Sequence, residues 1–327
     1  VNRFARHLPV VLLACVVWLA ACKDQPAPPS PAVVGTGQPA ATASKINPSG
    51  PAHIILVSFD GTRPDTAQTA AMPSLQAMAR EGAVSWSARS IVPPLTLPAH
   101  TSMLTGLGPE EHGVFWNEWI PAFGTLRVPT VLSLATSNGL VTAAFSGKDK
   151  LAYLFPTGSV NHLSYPVPNA GDFYRTNHLQ GARHVAALAA AHFIAKRPRL
   201  MFVHFLDADL AGHFNGWPSP EYVAALTECD AALTELRAGI ERSGATNTLF
   251  LLTADHGGAG LSHGVDRPED MTIPWIAWGT GVRRGHMLTN AITMPDTAAT
   301  IAWLLDLQLP TNTIGRPVRE AFERAGR

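Results

Sequence analysis

Six residues of this 327-residue chain are suited to hold metal ions, and they arrive in a few short strings. Asp60 closes the run HIILVSFD. Asp209 and His213 stand four apart in DLAGH, so one helical turn or a tight loop would face both to one point. Asp255 and His256 are adjacent at the end of TLFLLTADH, and His263 follows in LSHG, within a Gly-rich loop. Carboxylates mixed with imidazoles suit zinc or another first-row divalent ion. Together they can form two sites of three protein ligands each, with positions open for substrate. Singly, each has an ordinary alternative: an Asp after a strand caps a helix or forms a turn, and a lone His packs or meets solvent. A possible nucleophile lies in PPLTLPAHTSMLTG, where Thr96 sits just ahead of a short predicted helix. It can cap that helix. Beside a metal at a helix N-terminus, its hydroxyl could instead ionise and attack phosphorus.

The elements that must position these groups are legible as an alternation. Residues 53–60, 140–146, 199–207, 248–255 and 272–279 are apolar runs that read as buried strands. Between them, helices are expected near 73–81, 97–105, 130–139, 178–196, 220–244 and 295–307. Such alternation predicts an α/β domain, with a mainly parallel central sheet flanked by helices. The acidic groups stand where strands end, at 59–60, 205–209 and 253–255. Open α/β sheets bind ligands at the carboxyl ends of their strands, so three strands delivering such groups point to one shared site.

In order, SFDGTRPD, LTLPAHTSMLTGLGPEEHGV, DADLAGH, TADHGG and LSHG resemble the alkaline phosphatase superfamily. The closest branch is the type I phosphodiesterase/nucleotide pyrophosphatase group, and the similarity runs over roughly residues 53–320. The resemblance implies a single alkaline-phosphatase-like domain that hydrolyses phosphoric esters. It implies that Asp60, Asp255, His256 and the Thr96 oxygen surround one metal, while Asp209, His213 and His263 hold the other. It also implies that Asn117 contacts a phosphoryl oxygen, and that Thr96 attacks in line to give a phospho-enzyme that water then hydrolyses. Two divalent ions are expected, zinc first and manganese as the alternative. His100 matches a position that is not a ligand. Sulfatases of this superfamily carry a Cys in C-x-P-S-R; the matching string here starts at Thr96, which excludes formylglycine chemistry. SGKDKL, at 146–151, resembles a segment of threonine-nucleophile phosphomonoesterases and phosphonoacetate hydrolases. There a Lys reaches the substrate, so Lys148 and Lys150 are candidate substrate contacts and monoester hydrolysis is the alternative activity. Phe115, Trp116 and Trp119, beside Asn117, would form an apolar wall for a leaving group or pack in the core. A phosphoethanolamine or phosphoglycerol transferase and a non-catalytic surface lipoprotein are less favoured readings.

Composition narrows the setting. Lys+Arg and Asp+Glu both number 24, so no basic field draws in a nucleic-acid duplex, and the expected partner is a small phosphate ester. Of three Cys, two lie in the N-terminal segment, leaving Cys229 as a buried thiol and excluding a disulfide framework. Residues 1–22 combine a basic start with an apolar run that is short for a membrane span, as in a signal peptide, with an uncleaved membrane anchor as the alternative. That run ends in Leu19-Ala20-Ala21-Cys22, which resembles the lipobox of bacterial lipoproteins and implies acylation of Cys22. Residues 23–50 are a Pro/Ala/Ser/Gly-rich tether, and 51–327 form the catalytic domain. The expected location is extracytoplasmic, lipid-anchored to a bacterial membrane, in the periplasm or at the outer membrane.

Overall fold

The computed structural model of the chain describes residues 50–165 and 181–323. The expected signal peptide, its Cys22 and the tether through residue 49 lie outside the described residues, as do positions 178–180 of the predicted 178–196 helix. Strands β1 (His53–Phe59), β2 (Ala83–Arg89), β3 (Thr142–Ser146), β4 (His162–Ser164), β5 (Leu200–Phe205), β6 (Thr248–Thr253), β7 (Thr272–Gly279) and β8 (His286–Met287) make one sheet. Its order is β4-β3-β5-β1-β6-β7-β2-β8. The block from β4 to β6 is parallel throughout, and β7 alone runs against its neighbours β6 and β2. This is the mainly parallel α/β sheet that the alternation predicts. The apolar runs do not reveal β2, because AVSWSAR is interleaved with polar residues, nor β4 and β8, which are three and two residues long.

Helices α1 (Pro73–Glu81), α2 (Thr96–Thr105), α3 (Val131–Ser137), α4 (Gly181–Lys196), α5 (Asp207–Asn215), α6 (Pro220–Arg242) and α7 (Asp296–Leu305) cover both faces. Alternate residues of β1 feed two cores. Ile54 and Leu56 join Leu97 and Met103 of α2, Val131 of α3 and Ile301 of α7. Ile55 and Val57 join Met78 of α1, Val185 and Phe193 of α4, and Leu233 of α6. Each such side chain contributes about 1.5–3 kcal/mol by leaving water. Burial on both faces explains why β1, β5 and β6 are continuous apolar runs, and it fixes their shared C-terminal edge in place.

The order of strands is what assembles the site. Strands β3, β5, β1 and β6 are successive neighbours. The residues just past their ends therefore meet in one row: Lys148 after β3, Asp209 after β5, Asp60 after β1, and Asp255 with His256 after β6. DADLAGH is helical, forming most of α5, so Asp209 and His213 do share a helix face.

Candidate active site

Thr96 is the first residue of α2, not its cap. Leu95 holds the N-cap position and makes no side-chain cap hydrogen bond. The capping alternative for Thr96 is thereby removed, and its buried hydroxyl turns to the strand ends. There Oγ1 lies 3.4 Å from His256 Nε2 and 3.4 Å from Lys148 Nζ. The first turn of α2 is pinned to the sheet by His100. Its Nδ1–H donates to the Thr96 carbonyl at 2.8 Å, and its Nε2 accepts from the Ser58 hydroxyl of β1 at 2.9 Å. Burial, with a smaller contribution from His204, pushes the His100 pKa down to about 3, so it acts as a neutral strut. It belongs to neither ligand group described below, in keeping with its expected structural role.

Asp60, Asp255 and His256 bring ligand atoms within 4.8 Å of one another, and so do Asp209, His256 and His263. His213 stands at the edge of the second group, its Nε2 3.4 Å from Asp209 Oδ1 and 3.2 Å from His263 Nε2. His256, stacked on His263 at 3.5 Å, stands between the groups. The six residues singled out in the sequence thus lie in one cluster, and His256 reaches Thr96.

Three observations test whether these residues fit metal ions. First, Asp60 Oδ1, Asp209 Oδ1 and Asp255 Oδ2 are buried without a hydrogen-bond partner, a costly state for carboxylate oxygens unless a cation meets them. Second, every histidine of the set points its Nδ1 at a backbone carbonyl: His256 at Gly257 (2.8 Å), His263 at Pro94 (2.8 Å) and His213 at Leu261 (3.1 Å). A carbonyl only accepts, so Nδ1 carries the proton and Nε2 presents a lone pair, as metal-bound histidines do. Third, the His213 and His263 Nε2 atoms face each other with no proton assigned between them, an arrangement that a cation relieves. The donor set fits two divalent ions.

The electrostatics agree. Burial alone would raise Asp60, but Lys148 and His204 outweigh it and hold its pKa well below the ordinary value. Asp255 moves the other way, pushed well above it by burial and by the charges of Asp60 and Asp209. One ammonium cannot neutralise three carboxylates. Burial also works against the charge on Lys148, but Asp209, Asp60 and Asp255 outweigh it and raise its pKa.

The three expected substrate contacts differ. Asn117 Oδ1 accepts the Leu97 N–H at 3.0 Å, so its carbonyl end is spent on the start of α2 and its Nδ2 is the end left to donate. Lys150 does not join the cluster, because its Nζ donates to the Asn117 carbonyl at 2.8 Å and to Glu118 at 3.0 Å. Lys148 sits among the ligands, 2.7 Å from Asp60 Oδ2 and 2.5 Å from Asp209 Oδ2. Of the aromatic residues beside Asn117, Trp116 and Trp119 pack against the core, whereas Phe115 is exposed.

Sequence reasoning missed two supports. His204 lies inside β5, where a polar residue in LMFVHF was the available signal. The Gly147 N–H donates to its Nδ1 at 3.1 Å, so its Nε2–H donates to Asp60 Oδ2, at 2.8 Å. Trp217 is wedged beneath the loops: an added Cβ would come within 2.2 Å of its ring at Gly212 and 2.6 Å at Gly258. Its indole N–H holds the Gly61 carbonyl at 2.9 Å. Gly61 itself has φ +69°, and a Cβ there would stand 2.9 Å from Asp209 Cα.

Residues 54–290 match the family model of the type I phosphodiesterase / nucleotide pyrophosphatase family. The chain belongs to that family. Among its relatives, the human ectonucleotide pyrophosphatase/phosphodiesterase family member 7 is 29% identical over 238 residues, covering 68% of this chain and 50% of that protein. The chain thus spans about half the length of that relative. Two solved structures share the fold. An inactive variant of murine ectonucleotide pyrophosphatase/phosphodiesterase 5 in complex with AMP superposes with a TM-score of 0.68 at 17% identity, covering 83% of this chain and 100% of that one. The wild-type alkaline phosphatase PafA gives 0.70 at 15% identity, over 84% and 99%. The fold of this family member is therefore alkaline-phosphatase-like.

Proposed function

We propose that this family member is a metal-dependent phosphoric ester hydrolase of the phosphodiesterase/nucleotide pyrophosphatase type, with Thr96 as its nucleophile. One observation carries the reading: unpartnered oxygens of Asp60, Asp209 and Asp255 and the Nε2 lone pairs of His256 and His263 converge beside a buried Thr96 hydroxyl. Asp60, Asp255 and His256, with Thr96 Oγ1, would hold one divalent ion, and Asp209, His213 and His263 the other; zinc suits the donors and manganese is the alternative. When bound, such ions lower the pKa of the attacking hydroxyl and stabilise charge on the entering and leaving oxygens.

The chain's own groups account for the remainder. The N-terminal end of α2 favours negative charge on Thr96 Oγ1, and so does the Lys148 ammonium 3.4 Å away. Thr96 Oγ1, its proton released to solvent, bonds to phosphorus as the ester P–O bond opposite it breaks; the leaving oxygen takes the electron pair and a proton from solvent. Water then cleaves the phosphothreonine, returning the Thr96 hydroxyl and releasing the phosphoryl product. The free Nδ2 end of Asn117 is placed to donate to a phosphoryl oxygen. Among substrates, a phosphodiester is favoured by the family, and a nucleotide moiety by the AMP that a structural neighbour binds. Monoester hydrolysis, the alternative, would use Lys148, whose Nζ contacts Asp60, Asp209 and Thr96 in this structure.

The test is a rate comparison of p-nitrophenyl phosphate, bis-p-nitrophenyl phosphate and a dinucleotide, with wild-type protein and Thr96→Ala. We expect the diester and dinucleotide to be hydrolysed faster than the monoester, and Thr96→Ala to lose about a thousandfold or more on each. Wild-type rates in Thr96→Ala would remove the covalent mechanism.

A further inference from the structure

Lys148 has the partners of a structural cation. An ammonium carries three N–H donors and no acceptor. Here three oxygens surround it: Asp60 Oδ2 at 2.7 Å, Asp209 Oδ2 at 2.5 Å and Thr96 Oγ1 at 3.4 Å. The residue is 5% exposed, so solvent supplies little in their place. Its two carboxylates belong to different ligand groups, and in each the outer oxygen meets Lys148 while the inner oxygen meets no donor.

The loop that delivers Lys148 is itself held. The Ser146 hydroxyl donates to the Lys148 carbonyl at 2.7 Å, and Gly147 donates to His204, which donates to Asp60. A Cβ at Gly147 would stand 2.5 Å from the Leu206 side chain, so the backbone is packed tight where the loop leaves β3. The backbone that presents the ammonium is therefore held by the fold.

We propose that Lys148 is a resident cation of the metal site, bridging the two ligand groups through the outer oxygens of Asp60 and Asp209, assembling the pocket in the absence of metal and limiting its metal affinity. The inference rests on the metal-dependent reading above. Two opposed effects set the outcome of removing it. Losing an outer hydrogen bond to a ligand weakens metal binding by about ten- to a hundredfold. Losing a positive charge in contact with the same carboxylates strengthens the binding of a dication by about a thousandfold at the dielectric of such a pocket. The charge wins, and metal affinity should rise.

The experiment compares wild-type protein with Lys148→Met, both stripped with a chelator and then titrated with zinc in a calorimeter. In Lys148→Met we expect the metal-free melting temperature to fall by at least about 5 °C, because two buried carboxylates lose their counter-charge. We expect zinc to bind at least about tenfold more tightly. If the stripped variant does not fold, refolding in zinc must restore a cooperative melt, and failure to do so overturns the proposal. It is also overturned by an unchanged metal-free melting temperature, by zinc affinity equal to or weaker than wild type, or by a loss confined to monoester substrates. A wild-type protein that binds neither zinc nor manganese would instead remove the metal-dependent reading. That result is distinguishable from a Lys148→Met protein with wild-type zinc affinity.

Discussion

The two candidate ligand groups are built differently. Asp60, Asp255 and His256 are completely buried and sit directly after adjacent strands. Their geometry is set by the sheet: Asp255 Oδ1 accepts the Gly61 and His256 N–H groups at 3.1 and 3.0 Å, and Asp60 is gripped by His204 of β5. The other group draws Asp209 and His213 from α5 and His263 from a loop. His213 has a side chain 39% exposed, and its ring and that of His263 are aimed by the carbonyls of Leu261 and Pro94. The interior group trades stability for preorganisation, since its charges crowd in a place water does not reach. In the rim group Asp209 and His263 are buried and only His213 meets water, so His213 should be the cheapest of these residues to remove.

That contrast can be broken most forcefully at Asp255. Asp255→Asn keeps the acceptor for Gly61 but removes a buried charge whose second oxygen lacks a partner. We expect hydrolysis to fall by about a thousandfold or more, while the metal-free melting temperature rises by about 2–4 °C. A lower metal-free melting temperature would show that the interior carboxylates stabilise the fold instead of straining it. A smaller effect is expected at the rim. His213→Ala should lose one of two bound ions by native mass spectrometry and about a hundredfold in rate, with melting within about 2 °C of wild type. Equal metal loss and equal destabilisation in both variants would erase the distinction.

The smallest effect concerns the helix that carries Thr96 on the interior side. His112 donates from Nε2 to Ser102 Oγ of α2 at 3.0 Å and accepts the Val114 N–H at Nδ1. Burial pushes its pKa down to about 4. A histidine depressed in the folded state adds stability that is fully present above the unfolded value of about 6.5 and is lost as pH falls towards 4. His112→Gln should therefore reduce the loss of stability between pH 7 and pH 4 by up to about 3 kcal/mol, read from urea unfolding of the metal-free protein. An acid limb as steep as wild type would mean that His112 does not buttress α2 as a neutral group.

The sequence by itself determined the chemistry on offer and where along the chain it sits. Continuous apolar runs marked β1, β5 and β6 because burial on both faces leaves no room for polar alternation. The candidate ligand residues were legible because carboxylates and imidazoles immediately after such runs are unusual company. Only the tertiary structure decided which of these strands are neighbours, since parallel pairing joins segments such as 53–59 and 200–205 that no local pattern links. It also decided that Thr96 is the first helical residue and not the cap, a difference of one position that turns its hydroxyl towards the strand ends. Lys148 and His204 show the same limit. Their residue types were plain, but a donor's role depends on which acceptors surround it, and those acceptors come from strand ends and loops that only the folded sheet brings together.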